Sequence, residues 1–306
     1  MSITATAQYR QPSIGQAWWK AWLSFFGQIV LVTSVELSDE FLRGMITHSN
    51  SHSGQVNAGQ LVRFEAAHGF WVEPGWQAFF RQSHHLLDLT LTWDQVVPIV
   101  NSIYLFGHIG VTLLFALWVF LYRRGVFAFL RNVFFITNAL ALVLYEAYPL
   151  APPRLTIGLE YEGHPYHFVD TMFALLKDGK VVGTQVGFNE FAAMPSLHVG
   201  WAVIVSAGLI WLARPWLIRV LAPLYPVIMT VAVVVSGNHY LMDGVGAVGI
   251  LLVAIVLAGL YQWWRERPSS LSAMLRRLQA QSHEPTKPPW HVERTPVMAR
   301  PRAVAR

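Results

Sequence analysis

Four long stretches without any charged side chain constrain this sequence more than any other feature. No Asp, Glu, Lys or Arg occurs in residues 95–122, 191–213, 220–242 or 244–264 of the 306-residue chain. About 20 apolar residues of helix cross a bilayer, so each stretch is long enough for one span. Only 13% of the residues are charged, whereas an ordinary soluble domain carries about 25%. The composition therefore argues against a soluble globular fold.

The apolar runs predict an all-α polytopic membrane bundle with six transmembrane helices. The predicted spans are 17–37, 96–122, 128–148, 199–213, 220–235 and 241–264. The fourth and fifth are short, although Arg214 and Arg219 beside them can snorkel and lengthen both. We expect a cytoplasmic tail at 1–16, one catalytic membrane domain over 17–264, and a basic, disordered cytoplasmic tail at 265–306.

Basic residues divide unequally between the two faces of this six-span arrangement. One face takes sixteen Lys and Arg against three acidic residues, and the other takes six against fourteen. Lys and Arg concentrate on the cytoplasmic side of membrane proteins, so both termini are predicted to be cytoplasmic. The net charge of +5 follows from this topology, and no nucleic-acid partner is predicted.

The outer segment 38–95 is rich in aromatic residues. Its side chains Trp71, Trp76, Phe79 and Phe80 suit interfacial helices that lie on the outer leaflet. Membrane lipids are therefore expected partners of this segment.

Three short motifs fall at the outer ends of the predicted spans. They are YPLAPPRL at 148–155, AAMPSLHVGWA at 192–202 and SGNHYLMDG at 236–244. This placement brings together residues that are far apart in the chain, namely Arg154, His198, His239 and Asp243. Such convergence at one membrane face predicts a functional site.

The residue types in these motifs suit phosphoryl chemistry. His239 and Asp243 are spaced i, i+4 on one helix face, where a carboxylate can hold one imidazole nitrogen and leave the other free to attack. Ser196 precedes a predicted helix with His198 in its first turn, and a helix N-terminus favours an anion. Arg154 adds a planar cation that matches phosphate oxygens. Together they indicate phosphoryl transfer on a substrate with an apolar tail.

The three motifs resemble those of the type-2 phosphatidic acid phosphatase superfamily. The forms APPRL, AMPSLHVGWA and GNHYLMDG are most similar to its inositol phosphorylceramide synthase-like branch, over about residues 95–262. The resemblance implies that His239 forms a phosphohistidine, that Asp243 orients it and that His198 protonates the leaving group. It also implies that Arg154 and Ser196 bind the phosphate, with no metal or other cofactor.

Two departures from the phosphatase motifs favour the synthase-like branch. The stretch AVVVSG before His239 lacks the arginine that phosphatases carry there, and the second motif reads Pro-Ser-Leu-His instead of Pro-Ser-Gly-His. The predicted function is a lipid phosphatase or phosphotransferase that acts on a lipid phosphate or phospholipid at the non-cytoplasmic face. Water or an alcohol such as inositol is the acceptor, and the sequence leaves hydrolysis and transfer open.

Two other functions use the same residues. A non-enzymatic lipid-phosphate carrier would bind headgroups with Arg154 and the helix N-terminus. A metallohydrolase would use His198, His239 and Asp243 as zinc ligands. The chain has no cysteine, which excludes thiol catalysis and disulfides.

Several residues also have purely structural interpretations. Ser196 would then be only a helix N-cap, and His108, in the second span, is predicted to make an interhelical hydrogen bond. Asp170 faces either the site or solvent. Five histidines of the outer segment match no metal-ligand spacing: His48, His52, His68, His84 and His85.

Overall fold

The computed structural model describes residues 51–86, 89–171 and 191–267, together with Leu23, Phe26, Gly27 and Val30. This part of the chain is mostly helical, as predicted for an all-α protein. Four helical segments are long and apolar enough to span a membrane: Trp93–Tyr122, Arg124–Ala147, Trp216–Val235 and Leu241–Glu266. They correspond to the second, third, fifth and sixth predicted spans, and the protein is accordingly membrane-embedded.

The other two predicted spans differ from these four. Most of the first, 17–37, lies outside the described residues. The fourth forms the helix Leu197–Leu212, whose 16 residues extend about 24 Å at 1.5 Å per residue, less than the hydrocarbon thickness of about 30 Å. Six spans therefore stay a prediction, of which four are supported.

The helices follow one another in a simple order. Those of the outer segment are α1 (Ser51–Ala67) and α2 (Glu73–Arg81). Next come α3 (Trp93–Ser102), a π-helix (Ile103–Gly107), α4 (His108–Tyr122) and α5 (Arg124–Ala147). The last are α6 (Leu197–Leu212), α7 (Trp216–Leu221), α8 (Leu224–Val235) and α9 (Leu241–Glu266). Pro215 is the N-cap of α7 and separates α7 from α6, because proline lacks the backbone N–H that a continuous helix would use.

Two short antiparallel hairpins depart from a purely helical chain. Strands β1 (His84–Leu86) and β2 (Leu89–Leu91) pair with His84 opposite Leu91. Strands β3 (Glu160–Tyr161) and β4 (His164–Pro165) pair with Tyr161 opposite His164. A 3₁₀ turn covers Pro153–Leu155. Strands this short carry too little apolar alternation to be predicted from the sequence.

The short helix α6 is the inner helix of the bundle. Its buried apolar side chains pack against neighbours from four other helices: Val119 of α4, Val133 of α5, Met229 of α8 and Leu251 of α9. Small residues permit these close approaches, since a Cβ on Gly200 would lie 3.5 Å from the Ala247 Cβ. A helix enclosed in this way need not match the bilayer thickness.

The outer helices α1 and α2 cover one end of the bundle. Trp71, Trp76 and Phe80 are partly buried and pack against core residues, and their position on the leaflet stays a prediction. Of the four predicted interfacial aromatics, Phe79 alone is exposed, at 55%. The sequence predicted the helix pair correctly but missed the apolar surface beneath it.

Gln77 of α2 joins this cover to the bundle. Its Nε2 donates to the carbonyls of Val169 and Val235, both at 2.9 Å, and its Oε1 accepts from the Val169 N–H at 2.9 Å. The side chain is wholly buried. It therefore fixes the loop around Val169 to the end of α8.

At the opposite end of the bundle, Arg123 lies between α4 and α5. Its Nε and Nη2 donate to the Leu212 carbonyl at 3.3 and 3.1 Å. These bonds tie the end of α4 to the end of α6.

The chain divides into two units at Leu260 and Tyr261. The first contains the helices and motifs described above as far as Leu260. Of the second unit, the structure describes residues 261–267. The predicted domain limits at 17, 264 and 265 stay predictions.

Candidate active site

His239 and Asp243 form the centre of the predicted site. His239 Nδ1 lies 2.8 Å from the Ala193 carbonyl oxygen and 3.1 Å from Asp243 Oδ2. A carbonyl oxygen only accepts, so Nδ1 carries a proton in this arrangement. Asp243 Oδ2 also accepts the Tyr240 N–H at 2.8 Å, which anchors the carboxylate. Both side chains are buried.

His198 lies in the first turn of α6 and faces His239. The centroids of the two imidazole rings are 5.8 Å apart and their planes are inclined by 56°. His198 is half-buried. The predicted acid and the predicted nucleophile are thus neighbours, although 41 residues separate them in the chain.

Ser196 is the N-cap residue of α6, but its hydroxyl does not act as a cap. The side chain is wholly buried, and among the described residues Oγ has no hydrogen-bond partner. An orphaned buried hydroxyl is costly, so an external acceptor or donor would stabilise it. The capping interpretation of Ser196 is therefore wrong for its side chain.

Arg154 reaches the same end of the bundle through the 3₁₀ turn. Its Nη1 donates to Asn238 Oδ1, and its Nε donates to Asp170 Oδ2 at 2.9 Å. The side chains of Arg154 and Asp170 are 17% and 20% exposed, so the pair lies at the mouth of the site. The sequence left the direction of Asp170 open, and the structure directs it to Arg154.

Gly237 permits the close approach of these segments. Its φ of +75° is a conformation that L side chains rarely adopt. A Cβ there would lie 3.1 Å from the Val169 carbonyl oxygen and 3.4 Å from the Arg154 Cβ. Glycine at this position lets the loop before His239 pass directly beneath Arg154.

The three motifs are also joined through their backbones. The joining hydrogen bonds run from Leu150 N–H to Phe191 O at 2.7 Å, from Arg154 N–H to Gly237 O at 2.9 Å, and from Ser196 N–H to Asp243 O at 3.0 Å. The convergence inferred from span ends is therefore present in the fold, and main-chain bonds hold it.

Two glutamates of the outer helices cap α9 beside the site. Glu73 Oε1 accepts the Leu241 N–H at 2.6 Å, and Glu65 Oε1 accepts the Met242 N–H at 3.2 Å. Both are wholly buried, and burial raises the pKa of each carboxyl above its ordinary value of 4.5. The negative charge of the neighbouring Glu73 raises the pKa of Glu65 further. A neutral carboxyl still accepts these N–H groups through its carbonyl oxygen.

The sequence missed Asn238, Glu65 and Glu73. A signal for Glu65 was present, because it follows Ala58 and Leu61 at helical spacing on the buried face of α1. Asn238 directly precedes His239, and nothing in that spacing indicated a contact with Arg154.

Among the described residues, no group of three or more His, Asp or Glu side chains is arranged to hold a metal ion. The set considered for zinc, His198, His239 and Asp243, is thus not formed as a ligand cluster. Nδ1 of His239 instead faces the Ala193 carbonyl and Asp243.

A family model described as the PAP2 superfamily matches residues 59–257, well over half of the chain. This chain belongs to the PAP2 superfamily. The match confirms the superfamily of type-2 phosphatidic acid phosphatases that the motifs predicted, while the synthase-like branch stays a prediction. PAP2 members are typically phosphatases, which supports an enzyme acting on lipid phosphates. Comparisons with curated proteins and with solved structures find no match.

The range matched by the family model includes part of α1 and all of α2. It begins at residue 59, within α1, and so includes Glu65, Glu73 and Gln77. It ends at residue 257 in α9, beyond all three motifs. The segment that covers the site therefore belongs to the PAP2 region of this chain.

Proposed function

We propose that this PAP2 protein is a metal-independent lipid phosphatase or phosphotransferase that works through a phosphohistidine on His239, at the non-cytoplasmic face of the membrane. The observation that carries the proposal is the environment of His239 Nδ1. The Ala193 carbonyl and Asp243 hold it at 2.8 and 3.1 Å, so the second ring nitrogen, Nε2, is the nucleophile.

The first chemical step follows from this tautomer. The Nε2 lone pair of His239 forms a bond to phosphorus while the bond from phosphorus to the lipid alcohol oxygen breaks. Asp243, 3.1 Å from Nδ1, stabilises the positive charge that develops on the imidazole ring. The leaving oxygen takes a proton from His198, which becomes a neutral imidazole.

The second step reverses these roles. Water or an alcohol attacks phosphorus and gives its proton to the neutral His198. The bond between phosphorus and His239 Nε2 breaks, and the ring regains its lone pair. The same two histidines thus serve hydrolysis and transfer, and the acceptor alone decides which reaction occurs.

Phosphate binding is proposed for Arg154 and Ser196. Arg154 presents a guanidinium held by Asn238 and Asp170, and Ser196 supplies a buried hydroxyl at the N-terminus of α6. Backbone N–H groups at a helix N-terminus favour an anion, so the phosphate would lie between α6 and Arg154. Asn238, which holds Arg154, follows the stretch where phosphatases carry a second arginine, and this supports a synthase-like, inositol-accepting reaction.

Turnover by the purified protein tests this function. Phospholipids and isoprenoid phosphates are incubated in EDTA with and without inositol, beside His239→Ala and the matched control His164→Ala, an exposed histidine of β4. We expect turnover that EDTA leaves intact, that His239→Ala abolishes and that His164→Ala retains. A phospho-inositol product identifies a transferase.

A covalent adduct provides an independent readout. Quenched wild-type enzyme should carry an acid-labile, base-stable phosphoryl group that His239→Ala lacks. Undiminished turnover in His239→Ala would refute the mechanism. Headgroup binding that survives His239→Ala without turnover of any substrate would favour the lipid-phosphate carrier instead.

A further inference from the structure

The imidazole of His198 lies between two aromatic side chains of the span that contains α3 and α4. The Tyr104 ring stacks on it with a centroid distance of 4.1 Å and an interplanar angle of 29°. The His108 ring packs on it at 4.3 Å and 40°. His108 in turn stacks on Trp201 at 4.1 Å and 24°. His108 was predicted to make an interhelical hydrogen bond, and the structure shows that its ring also packs between His198 and Trp201.

Both side chains come from the π-helix or the residue that follows it. Tyr104 is the second residue of Ile103–Gly107, and the His108 N–H donates to the Ile103 carbonyl to close the wide turn. One residue added to a helix turns everything after it by about 100°, because an α-helix has 3.6 residues per turn. The π-turn therefore decides which way His108 points relative to the rest of α3.

Two side-chain hydroxyls donate to backbone carbonyls at the π-turn. The Tyr225 hydroxyl of α8 donates to the Gly107 carbonyl at 3.2 Å, and Thr112 Oγ1 donates to the His108 carbonyl at 2.7 Å. Single π-turns inside α-helices are rare and occur often at functional sites. This one adjoins a side chain that the proposed reaction uses as its acid.

Resting on the proposed function, we infer that Tyr104 and His108 are positioning residues that hold the His198 ring at the leaving-group oxygen. A general acid works only within hydrogen-bond reach of the atom it protonates. His198 is half-buried, and the two rings restrict its rotation about the side-chain bonds. A displacement of about 1 Å in such a group can cost about 100-fold in rate.

The chemistry of the leaving group gives a specific readout. In the first step the bond from phosphorus to oxygen breaks, and a poor leaving group such as an alkoxide requires the proton from His198. A nitrophenolate carries its own negative charge and requires the proton much less. Loss of His198 positioning should therefore slow alkyl phosphates selectively and spare nitrophenyl phosphates.

The test measures kcat and KM for two phosphate monoesters with the same alkyl tail. One is the ester of an alkyl alcohol, and the other is the ester of a nitrophenol that carries the alkyl tail on its ring. The variants are His108→Ala and Tyr104→Ala, with Phe106→Ala as matched control, because Phe106 lies on the same π-turn and is 73% exposed. General acids contribute about 10²–10⁴-fold, so we expect each variant to lower kcat at least about tenfold on the alkyl substrate. On the nitrophenyl substrate, kcat should change less than about threefold, and the KM of each substrate should stay unchanged.

Conservative variants separate ring packing from proton handling. His108→Phe and Tyr104→Phe keep an aromatic ring beside His198 and should retain the wild-type ratio of alkyl to nitrophenyl turnover. Should His108→Ala fail to fold, Tyr225→Phe removes only the hydroxyl that supports the π-turn, and it should shift the ratio in the same direction.

Two results would overturn the inference. The first is an unchanged ratio of alkyl to nitrophenyl turnover in the alanine variants, whether or not both rates fall. The second is a changed ratio in the phenylalanine variants at 104 and 108. Failure of the proposed function gives a different result: either turnover persists in His239→Ala, or the wild type turns over neither substrate.

Discussion

At the scale of single residues, the site depends on a hydrogen-bond acceptor from the backbone. The spacing of His239 and Asp243 predicted their pairing, and the two lie 3.1 Å apart. The carbonyl of Ala193, closer at 2.8 Å, was not predictable, because every residue has such a group and only the fold decides where it points. Two acceptors, the Ala193 carbonyl and the Asp243 carboxylate, thus hold the proton on His239 Nδ1.

This double hold predicts a moderate effect of Asp243→Asn. Loss of the carboxylate removes the charge that stabilises the developing imidazolium, but the Ala193 carbonyl keeps the tautomer. We expect kcat to fall by less than the roughly 10⁴-fold cost of a wrong tautomer, with thermal unfolding in detergent nearly unchanged. A loss as complete as in His239→Ala would show that the carbonyl does not fix the proton.

A second prediction concerns Asp170, which holds the cation proposed to bind phosphate. Phosphate must compete with this carboxylate for Arg154, so Asp170→Asn should strengthen inhibition by vanadate, a phosphate analogue. Partly exposed ion pairs contribute about 0.2–1 kcal/mol, which corresponds to about a 1.4- to fivefold lower inhibition constant. Arg154→Lys, the matched control, should raise that constant, because lysine lacks the planar fork. Weaker inhibition of Asp170→Asn would mean that Asp170 positions Arg154 rather than competing for it.

At the scale of elements, the outer helices have a structural task beyond covering the site. Glu65 of α1 and Glu73 of α2 accept N–H groups at the start of α9, the helix that carries Asp243. The aromatic residues of the outer segment predicted a helix pair there, but they did not predict two fully buried glutamates, because Glu side chains are seldom fully buried. The hydrogen-bond partner of Glu73 is the N-terminus of α9, 168 residues away, and the local sequence around Glu73 does not indicate this contact.

These two carboxyls predict a pH-dependent stability. Burial raises the pKa of each in the folded protein, so the folded chain retains protons that the unfolded chain releases above about 4.5. The stabilising contribution is full below that pH and is lost as the pH rises through the raised values. The wild-type thermal midpoint should therefore fall between about pH 5 and 9.

The double variant Glu65→Gln and Glu73→Gln isolates this effect. Glutamine does not titrate, and its amide oxygen can still accept the N–H groups of α9. The thermal midpoint of the variant should depend less on pH than that of the wild type, measured in the same detergent. Parallel curves for the two proteins would show that other groups cause the dependence.

At the scale of the whole molecule, three of the charge-free stretches and the apolar run at 128–148 predicted the four spans that the structure supports, because apolar length alone decides whether a helix can cross a bilayer. Motif placement at span ends predicted that Arg154, His198 and His239 converge. The hairpins were not predictable because their strands are too short to show alternation. The π-turn and the inward aromatic residues of α2 were not predictable because they depend on contacts between distant segments.

Orientation is a prediction for the whole molecule, and the absence of cysteine makes it easy to test. Ile157→Cys lies in the outer loop at 81% exposure, and Arg214→Cys lies in the basic link between α6 and α7. An impermeant maleimide should label intact cells at position 157 and leave position 214 unlabelled, while permeabilised cells label both. The reverse pattern would place the active site on the cytoplasmic side.

The backbone hydrogen bonds between the three motifs have a consequence for how this protein can change. The backbone N–H groups of Leu150, Arg154 and Ser196 make these bonds, so this frame of hydrogen bonds does not depend on the side chains of those residues. Residues around the mouth, such as Asp170, can be exchanged without dismantling the nucleophile. In the proposed function, the residues that break the phosphate ester are therefore distinct from rim residues such as Asp170, so substitution at the rim can alter the reaction while the frame is retained.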